Sequence, residues 1–329
     1  MLILTAAEVE AALDLDELRD VVAAAMVDLS AGRASMPSRI AAQVPDRHAF
    51  LAAMPAYLPS AAALTTKLVS LFPENRDRPT HQALICCFDP ATGTPVAVMD
   101  GRVITESRTA AAAALSARVL ARADARVAAV VGTGAQAHAH ALALARDPRF
   151  TTLRIAGRRP DAAEALAAEV RSQVRDGLAV EAAPSIEDAV RSADVVAAAT
   201  HTDTPVVRRE WLRPGAHVSS VGFNTGGAGE VDQATVVDAA LFVESRESAL
   251  TPPPTGGIEI GTAIASGAIT ADHIRAEIGE LVAETAPGRR DDIEITLYKS
   301  VGVAVQDAAA AALVLRIARE RGLGTDVPI

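Results

Sequence analysis

Three groups of residues in this 329-residue chain have types and spacing suited to chemistry. The first is Gly132-Thr133-Gly134-Ala135-Gln136-Ala137. It follows a short apolar run, 126–131, and opens an alanine-rich stretch of helical character that runs to residue 146. A G-x-G-x-x-A sequence between a strand and a helix is the dinucleotide fingerprint. Gly132 permits the tight turn, Gly134 lets the backbone approach a pyrophosphate, and Ala137 lets the helix pack close to the strand. The helix N-terminus adds free N–H groups and the positive end of a dipole. The second group indicates which dinucleotide. An NAD site usually carries Asp or Glu at the end of the next strand, about 20 residues on. Here the strand 153–156 runs into Gly157-Arg158-Arg159-Pro160, with no acid before Asp161. Arg158 and Arg159 suit a 2′-phosphate dianion. This favours NADP(H) and leaves NAD(H) open.

The third group is cationic: Arg39, Lys67 and Arg108. Lys67 lies in the otherwise apolar or small run 61–71. A lysine there must reach water, an anion or a ligand, because burying it alone is costly. Arg108 falls near an expected helix start at residue 106, where a cation opposes the helix dipole. An anion held jointly by the helix end and Arg108 resolves that mismatch. Composition gives Lys67 further weight, since Lys67 and Lys299 are the only lysines among 31 basic residues. Drift toward arginine in a GC-rich genome accounts for the rest. A lysine that persists is a candidate for work that arginine cannot do.

These residues need elements to position them. Apolar spacing predicts a helix over 6–29, stopped by Gly32. Strands are expected at 49–57, 64–71, 83–89 and 96–99, with Asp89-Pro90-Ala91-Thr92-Gly93 as a tight turn. A long alanine-rich helix follows at 106–122. Strands at 126–131, 153–156, 180–182, 194–200 and 217–222 then alternate with helices. Ser185 with Asp188 marks a capping-box start for the helix 186–192. Residues 235–245 read as a helix or strand piece and 274–284 as helical. Residues 296–321 read as one long helix with Leu297, Val301, Val305, Ala308, Ala312 and Leu315 on its apolar face. Alternating strands and helices mean a parallel sheet covered by helices. The fold class is α/β, with a β-rich segment before the nucleotide-type domain.

Composition excludes several function classes. The formal net charge of −10 argues against general nucleic-acid binding, and it is compatible with a local basic pocket for a small anion. Cys86 and Cys87 are adjacent, so they form neither a disulfide framework nor a C-x-x-C pair. In a strand one points inward and one outward. His138 and His140 read as exposed or capping residues. No His, Cys or acid cluster has zinc-site spacing, so no metal is expected. No G-x-S-x-G elbow is present. No run of 18 apolar residues lacks charge, and no signal-like segment opens the chain. The expectation is a cytoplasmic protein with no membrane span.

The sequence resembles the ornithine cyclodeaminase/mu-crystallin family. The resemblance is carried by Met36-Pro37-Ser38-Arg39, Lys67-Leu68-Val69-Ser70, Asp100-Gly101 with Ile104-Thr105 and Arg108-Thr109-Ala110-Ala111, and Gly132 to Ala137. It continues in Ala276-Glu277-Ile278-Gly279-Glu280, Pro287-Gly288-Arg289 and Lys299-Ser300-Val301-Gly302-Val303-Ala304-Val305-Gln306-Asp307. It implies a Rossmann-type doubly wound parallel sheet over 119–297 that binds NAD(P). A second α+β domain, 1–118, would serve substrate binding and dimerisation, with the C-terminal helix 298–329 returning to it. The implied partners are a small imino or amino acid and a second copy of the chain, a homodimer. By the same resemblance Arg39, Lys67 and Arg108 grip the substrate α-carboxylate and form the catalytic set. Thr109, Gly132, Gly134, Ala135 and Gln136 fall at cofactor phosphate positions, and Arg158 falls at the adenosine-ribose end. Thr200, Val221, Ser300 and Gly302 lie toward the nicotinamide.

One position departs from the family's pattern. The cyclodeaminases carry an Asp in a Gly-x-Asp-x-Pro-Gly-Lys segment that binds the substrate's side-chain amine. Asn224 takes that position here, as a substrate-binding candidate without the charge. The resemblance therefore implies reduction of a small cyclic or substituted imine, or dehydrogenation of a small amino acid. Hydride would pass between nicotinamide C4 and substrate Cα. A lyase of the ornithine cyclodeaminase type and a non-catalytic NADPH- or ligand-binding member are the rival readings.

Overall fold

A computed structural model of the chain describes residues 1–222, 227–252 and 255–328. The chain divides into two compact units, Met1–Arg108 with Val303–Ile329, and Thr109–Gly302.

The first unit is built on a seven-stranded sheet. Its strands are β1 (Leu2–Leu4), β2 (Ile40–Val44), β3 (Ala49–Leu58), β4 (Ala63–Leu71), β5 (His81–Phe88) and β6 (Pro95–Asp100), with a two-residue strand Thr325–Asp326 beside β1. Strands β2 to β6 form an antiparallel meander, and β1 lies parallel to β6. Side chains alternate across a strand, so the register decides which face each residue joins. Met54, Lys67, Ile85 and Met99 are cross-strand partners in one row, and all four are buried. That face is covered by the helix Ala304–Arg321, which packs on β3 and β4 and carries α2 (Leu15–Ser30) behind it. The turn between β5 and β6 forms as expected. Asp89 Oδ1 accepts from the amides of Ala91 and Thr92 at 2.8 and 3.1 Å, and Gly93 takes φ +72°. Cys87 points into the covered face, where burial pushes its thiol up to about 12, and Cys86 is half-buried on the other face.

Two expectations change in this unit. The helix over 6–29 is two helices, α1 (Ala6–Ala12) and α2. Asp14 interrupts it, because its carboxylate accepts from the amides of Asp16 and Glu17 at 2.9 Å each and starts a new helix. The long helix expected at 106–122 is α3 (Gly101–Leu120) and starts a turn and more earlier. Asp100 Oδ1 accepts from Val103 N at 2.8 Å. A Cβ on Gly101 would come within 2.9 Å of Ala83 Cβ, so glycine is what lets the helix begin there. Arg108 therefore lies beyond the first turn, and its conflict with the helix dipole disappears.

The second unit is an eight-stranded sheet whose paired strands are all parallel. Its strands are β7 (Val127–Val131), β8 (Thr152–Ala156), β9 (Ala179–Ala182), β10 (Val195–Ala198), β11 (His217–Ser220), β12 (Ala240–Val243), β13 (Ile274–Glu277) and β14 (Thr296–Lys299), in the order β13-β12-β14-β11-β10-β7-β8-β9. The chain runs outward from β7 through β8 and β9, then restarts on the other side of β7 with β10. The strand order thus reverses between β7 and β10, where such sheets bind ligands. Helix α4 (Ala135–Ala145) follows β7, α5 (Pro160–Arg171) follows β8, and α6 (Ile186–Ser192) starts on the expected cap, with Ser185 Oγ accepting from Asp188 N at 3.0 Å.

Residues 296–321 are not one helix. Thr296–Lys299 is a strand between β11 and β12, and the helix begins only at Ala304. All four residues of this strand are buried. Such a strand shows no alternation of burial, and four residues are too few to be told from a buried helical turn. Gly302, at φ +75°, lies in the break. Residues 274–284 likewise divide into β13 and a short helix, Ile278–Val282.

Candidate active site

In the second unit β7 delivers the chain to Gly132 and Gly134, and α4 starts at Ala135. Gly132 has φ +132°, and a Cβ there would stand 2.5 Å from Ala199 O. Any side chain would push apart the ends of β7 and β10 at the reversal point. Nothing lies within 4 Å of a Cβ placed on Gly134, so that glycine leaves an open approach in front of the helix. Ala137 is fully buried against the turn. Ala135 is exposed and Gln136 half-buried at the helix start, and Thr109 is buried in α3. A pyrophosphate fits this cradle, because amides and a dipole face it and no side chain blocks it. At the end of β8 the two arginines part. Arg159 pairs with Asp161 at 2.5 Å, both exposed, while Arg158 is exposed at the turn. His140 is buried rather than exposed or capping. Its Nδ1 lies 2.7 Å from Gln136 O, and burial lowers its pKa to about 4, so the ring is neutral.

The carboxyl ends of β10, β11 and β14 are joined by buried charge. Glu230 is fully buried and accepts four hydrogen bonds. They come from Thr200 N at 2.5 Å, Thr200 Oγ1 at 2.7 Å, Gly222 N at 2.6 Å and Ser220 Oγ at 3.0 Å. Lys299 Nζ donates to Glu259 Oε1 at 3.0 Å, Ser220 Oγ at 3.1 Å and Gly222 O at 3.2 Å. Glu244 accepts from Ser300 Oγ at 2.9 Å and from the amides of Val301 and Gly302 at 2.8 Å each. Val221, Gly222, Gly256, Lys299, Ser300 and Val301 are among the residues lining a small cavity here, about 30 Å³. The expected residues Thr200, Val221, Ser300 and Gly302 thus gather at one end of the sheet. Sequence reasoning missed Glu230, Glu244 and Glu259, which hold them there. The one available signal was Lys299 itself, a lysine in the run Leu297 to Val303 that needs an acid if buried.

In the first unit Lys67 and Arg108 converge on one carboxylate. Lys67 Nζ is 2.7 Å from Asp307 Oδ2, and Arg108 Nε is 3.0 Å from Asp307 Oδ1. Arg108 Nη1 donates to Gln306 Oε1 at 3.0 Å, and Lys67 Nζ reaches Thr105 Oγ1 at 3.5 Å. The Lys67, Arg108 and Asp307 side chains are no more than 5% exposed. Burial lowers the Lys67 pKa to about 8; Asp307 opposes this, while Arg108 and Arg39 add to it. Burial alone would raise the Asp307 carboxyl, but the charges of Arg108 and Lys67 hold it below the usual range. His81 on β5 falls to about 4, through burial and then the same two cations, so it is neutral. Arg39, half-buried just ahead of β2, is close enough for its charge to act on Lys67. Lys67, Arg108 and Arg39 thus bring positive charge together around Asp307, and clustered cations suit a small anion. Asp307 was visible only as the polar end of a motif that opens an alanine-rich helix.

With this geometry in view, comparison with known proteins decides the family. The model of the ornithine cyclodeaminase/mu-crystallin family matches residues 1–322. The chain belongs to this family. The ketimine reductase mu-crystallin of Mus musculus is 35% identical over 285 residues, covering 86% of this chain and 85% of its own. The Delta(1)-pyrroline-2-carboxylate reductase of Thermococcus litoralis, solved in complex with NADH and L-proline, superposes with a TM-score of 0.93. It is 35% identical and covers 99% of this chain and 100% of its own. An archaeal alanine dehydrogenase dimer with bound NAD gives a TM-score of 0.91 at 33% identity, covering 100% of this chain and 99% of its own. These homologues are oxidoreductases, and the two solved ones carry a nicotinamide coenzyme. Asn224, which stands where the family's cyclodeaminases carry Asp, lies outside the described residues, as does Phe223. Among the described residues no helix is long and apolar enough to cross a membrane.

Proposed function

We propose that this family member is an NAD(P)H-dependent imine reductase or amino-acid dehydrogenase acting on the C–N bond of a small α-imino or α-amino acid. The observation that carries the reading is the pair Lys67 and Arg108, buried side by side on one carboxylate with the charge of Arg39 also acting there. Arg39, Lys67 and Arg108 hold the substrate carboxylate, which fixes Cα relative to the rest of the molecule. A bound NAD(P)H supplies the hydride and is left oxidised. As Cα gains that hydride, the nitrogen of the C=N bond takes one proton, and the product is the amino acid. Lys67 is the group suited to give that proton, since its pKa of about 8 lies near working pH. It recovers the proton from solvent. Gly132, Gly134, Ala135, Gln136 and Thr109 would hold the coenzyme phosphates, and Thr200, Val221, Ser300 and Gly302 would lie toward its nicotinamide end. Asn224 in place of an acid supports the reductase over the lyase, because it offers no charge to a side-chain ammonium.

NADP(H) is the preferred coenzyme in this reading. Asp161 already pairs with Arg159, so Arg158 is the arginine left to meet a 2′-phosphate. Replacing Arg158 with alanine raises KM for NADPH about tenfold or more, the scale of one lost charge-assisted contact. It leaves KM for NADH within about twofold. Equal changes for both coenzymes would remove Arg158 from the 2′-phosphate site.

The reading includes a homodimer. One face of the first unit's sheet packs on helices, and the other presents Ile40, Leu51, Tyr57 and Leu84, of which Ile40 is 72% and Leu84 50% exposed. Ile40, Ala53, Leu68 and Leu84 form a cross-strand row on that face. A contiguous apolar sheet face of this kind is normally covered, and a second copy provides the covering surface. The double substitution Leu51→Glu, Leu84→Glu halves the mass seen by sedimentation equilibrium. An unchanged mass would place the interface elsewhere.

A further inference from the structure

Asp307 lies in the helix Ala304–Arg321, 199 residues from Arg108 along the chain. It is 1% exposed and splits its two oxygens between two cations on different elements, Lys67 on β4 and Arg108 on α3. Gln306 beside it takes a second nitrogen of Arg108, and Gln306 Nε2 contacts Met26 Sδ of α2 at 3.4 Å. The two cations are thus fixed from one short segment of helix. We infer that Asp307 is a positioning residue that keeps Lys67 an ammonium and aligns it with Arg108, so that the clamp is both charged and able to release a proton. Among the described residues, the other charges that act on Lys67 are the cations Arg108 on α3 and Arg39 ahead of β2, and His81 on β5 is a neutral neighbour. Each cation, together with burial, works to strip the lysine of its proton. Asp307, 2.7 Å from Nζ, opposes both, so the lowering stops at about 8. A binder and a reductase both need the charge to hold a carboxylate; a reductase needs in addition a proton that Lys67 can give to the imine. The role in proton delivery rests on the proposed reductase activity. The effect on Lys67 itself does not.

The test exploits the two-lysine composition. Protein labelled at lysine Cε gives two side-chain NMR signals, and Lys67→Arg identifies which belongs to residue 67. In the unaltered enzyme, with no substrate present, Lys67 is expected to titrate near pH 8. In Asp307→Asn its proton affinity falls by roughly 10- to 1000-fold, the effect of removing an opposite charge at this distance. Asp307→Glu, which keeps the charge, brings the titration back toward that of the unaltered enzyme. In imine reduction the pH at which kcat/KM declines moves down in the same way. The loss in Asp307→Asn is then severe at neutral pH and small in acid, whereas mere structural damage would lower activity evenly. A Lys67 signal that is neutral at pH 7 in the unaltered enzyme would overturn the proposal even if Asp307→Asn did not fold. So would an unmoved titration in Asp307→Asn. A shifted titration in a protein that reduces no imine would uphold Asp307 and reject the reductase reading instead.

Discussion

Replacing Lys67 with arginine lowers kcat/KM for imine reduction by about 10²- to 10⁴-fold, the usual contribution of a positioned proton donor. The positive charge survives the change, so carboxylate binding is reduced far less than turnover. The reason is chemical. A guanidinium keeps its proton throughout the working range, whereas the buried Lys67 ammonium releases its own near pH 8. The sign of the pH dependence follows. Reduction needs the ammonium and declines as pH rises through about 8; oxidation of the amine needs the free base and gains over the same interval. Steady-state kinetics of both directions across that interval check the prediction. An arginine variant with unaltered kcat/KM would reduce Lys67 to a carboxylate clamp.

The second large effect is on stability. Glu259→Ala is expected to cost about 3–5 kcal/mol, because it leaves Lys299 charged and buried without its acid. Lys299 and Glu259 are 3% and 2% exposed at the side chain, so solvent does little to screen the loss. Glu230 N also loses its acceptor, the Glu259 oxygen at 3.0 Å. A drop in Tm on the order of 10 °C corresponds to that cost for a unit of this size. Glu259→Gln keeps an acceptor and loses the charge, so it falls between. Thermal unfolding of the three proteins at one pH measures the series, and an unshifted Glu259→Ala would mean that the Lys299–Glu259 pair adds nothing to stability. The pair lies at the carboxyl ends of β11 and β14, so its loss also loosens Ser220 and Gly222 at the expected nicotinamide end.

Much of this molecule was legible in the sequence because the physics acting there is local. The cap at Ser185, the turn at Asp89, the alternation of β3 to β5 and the glycine turn after β7 each depend on residues within a few positions of one another. The pieces that were misread depend on what lies far along the chain. Thr296–Lys299 becomes a strand because β11 and β12 leave a slot for it, and a strand buried on both faces carries no period to read. Arg108 looked misplaced against a helix dipole only because the start of α3 was set by close packing of Gly101 on Ala83. The acids follow the same rule. Lys67 and Lys299 could be singled out from composition and context, but their partners Asp307 and Glu259 lie on other elements and became visible only in the folded chain. A cation in an apolar run announces that it needs an anion without saying where that anion lies. For Lys67 the resident anion is Asp307, 240 residues further along the chain.

Reduction of a small imino acid at the expense of a nicotinamide coenzyme is tested most directly by mixing the purified protein with NADPH and a cyclic ketimine carboxylate such as piperideine-2-carboxylate or pyrroline-2-carboxylate, and following nicotinamide absorbance and amino-acid product together. One NADPH is expected to be oxidised for each cyclic amino acid formed, with NADH serving less well. Release of ammonia from ornithine with no net change in the coenzyme, or binding of NADPH with no turnover of any imine, would contradict it.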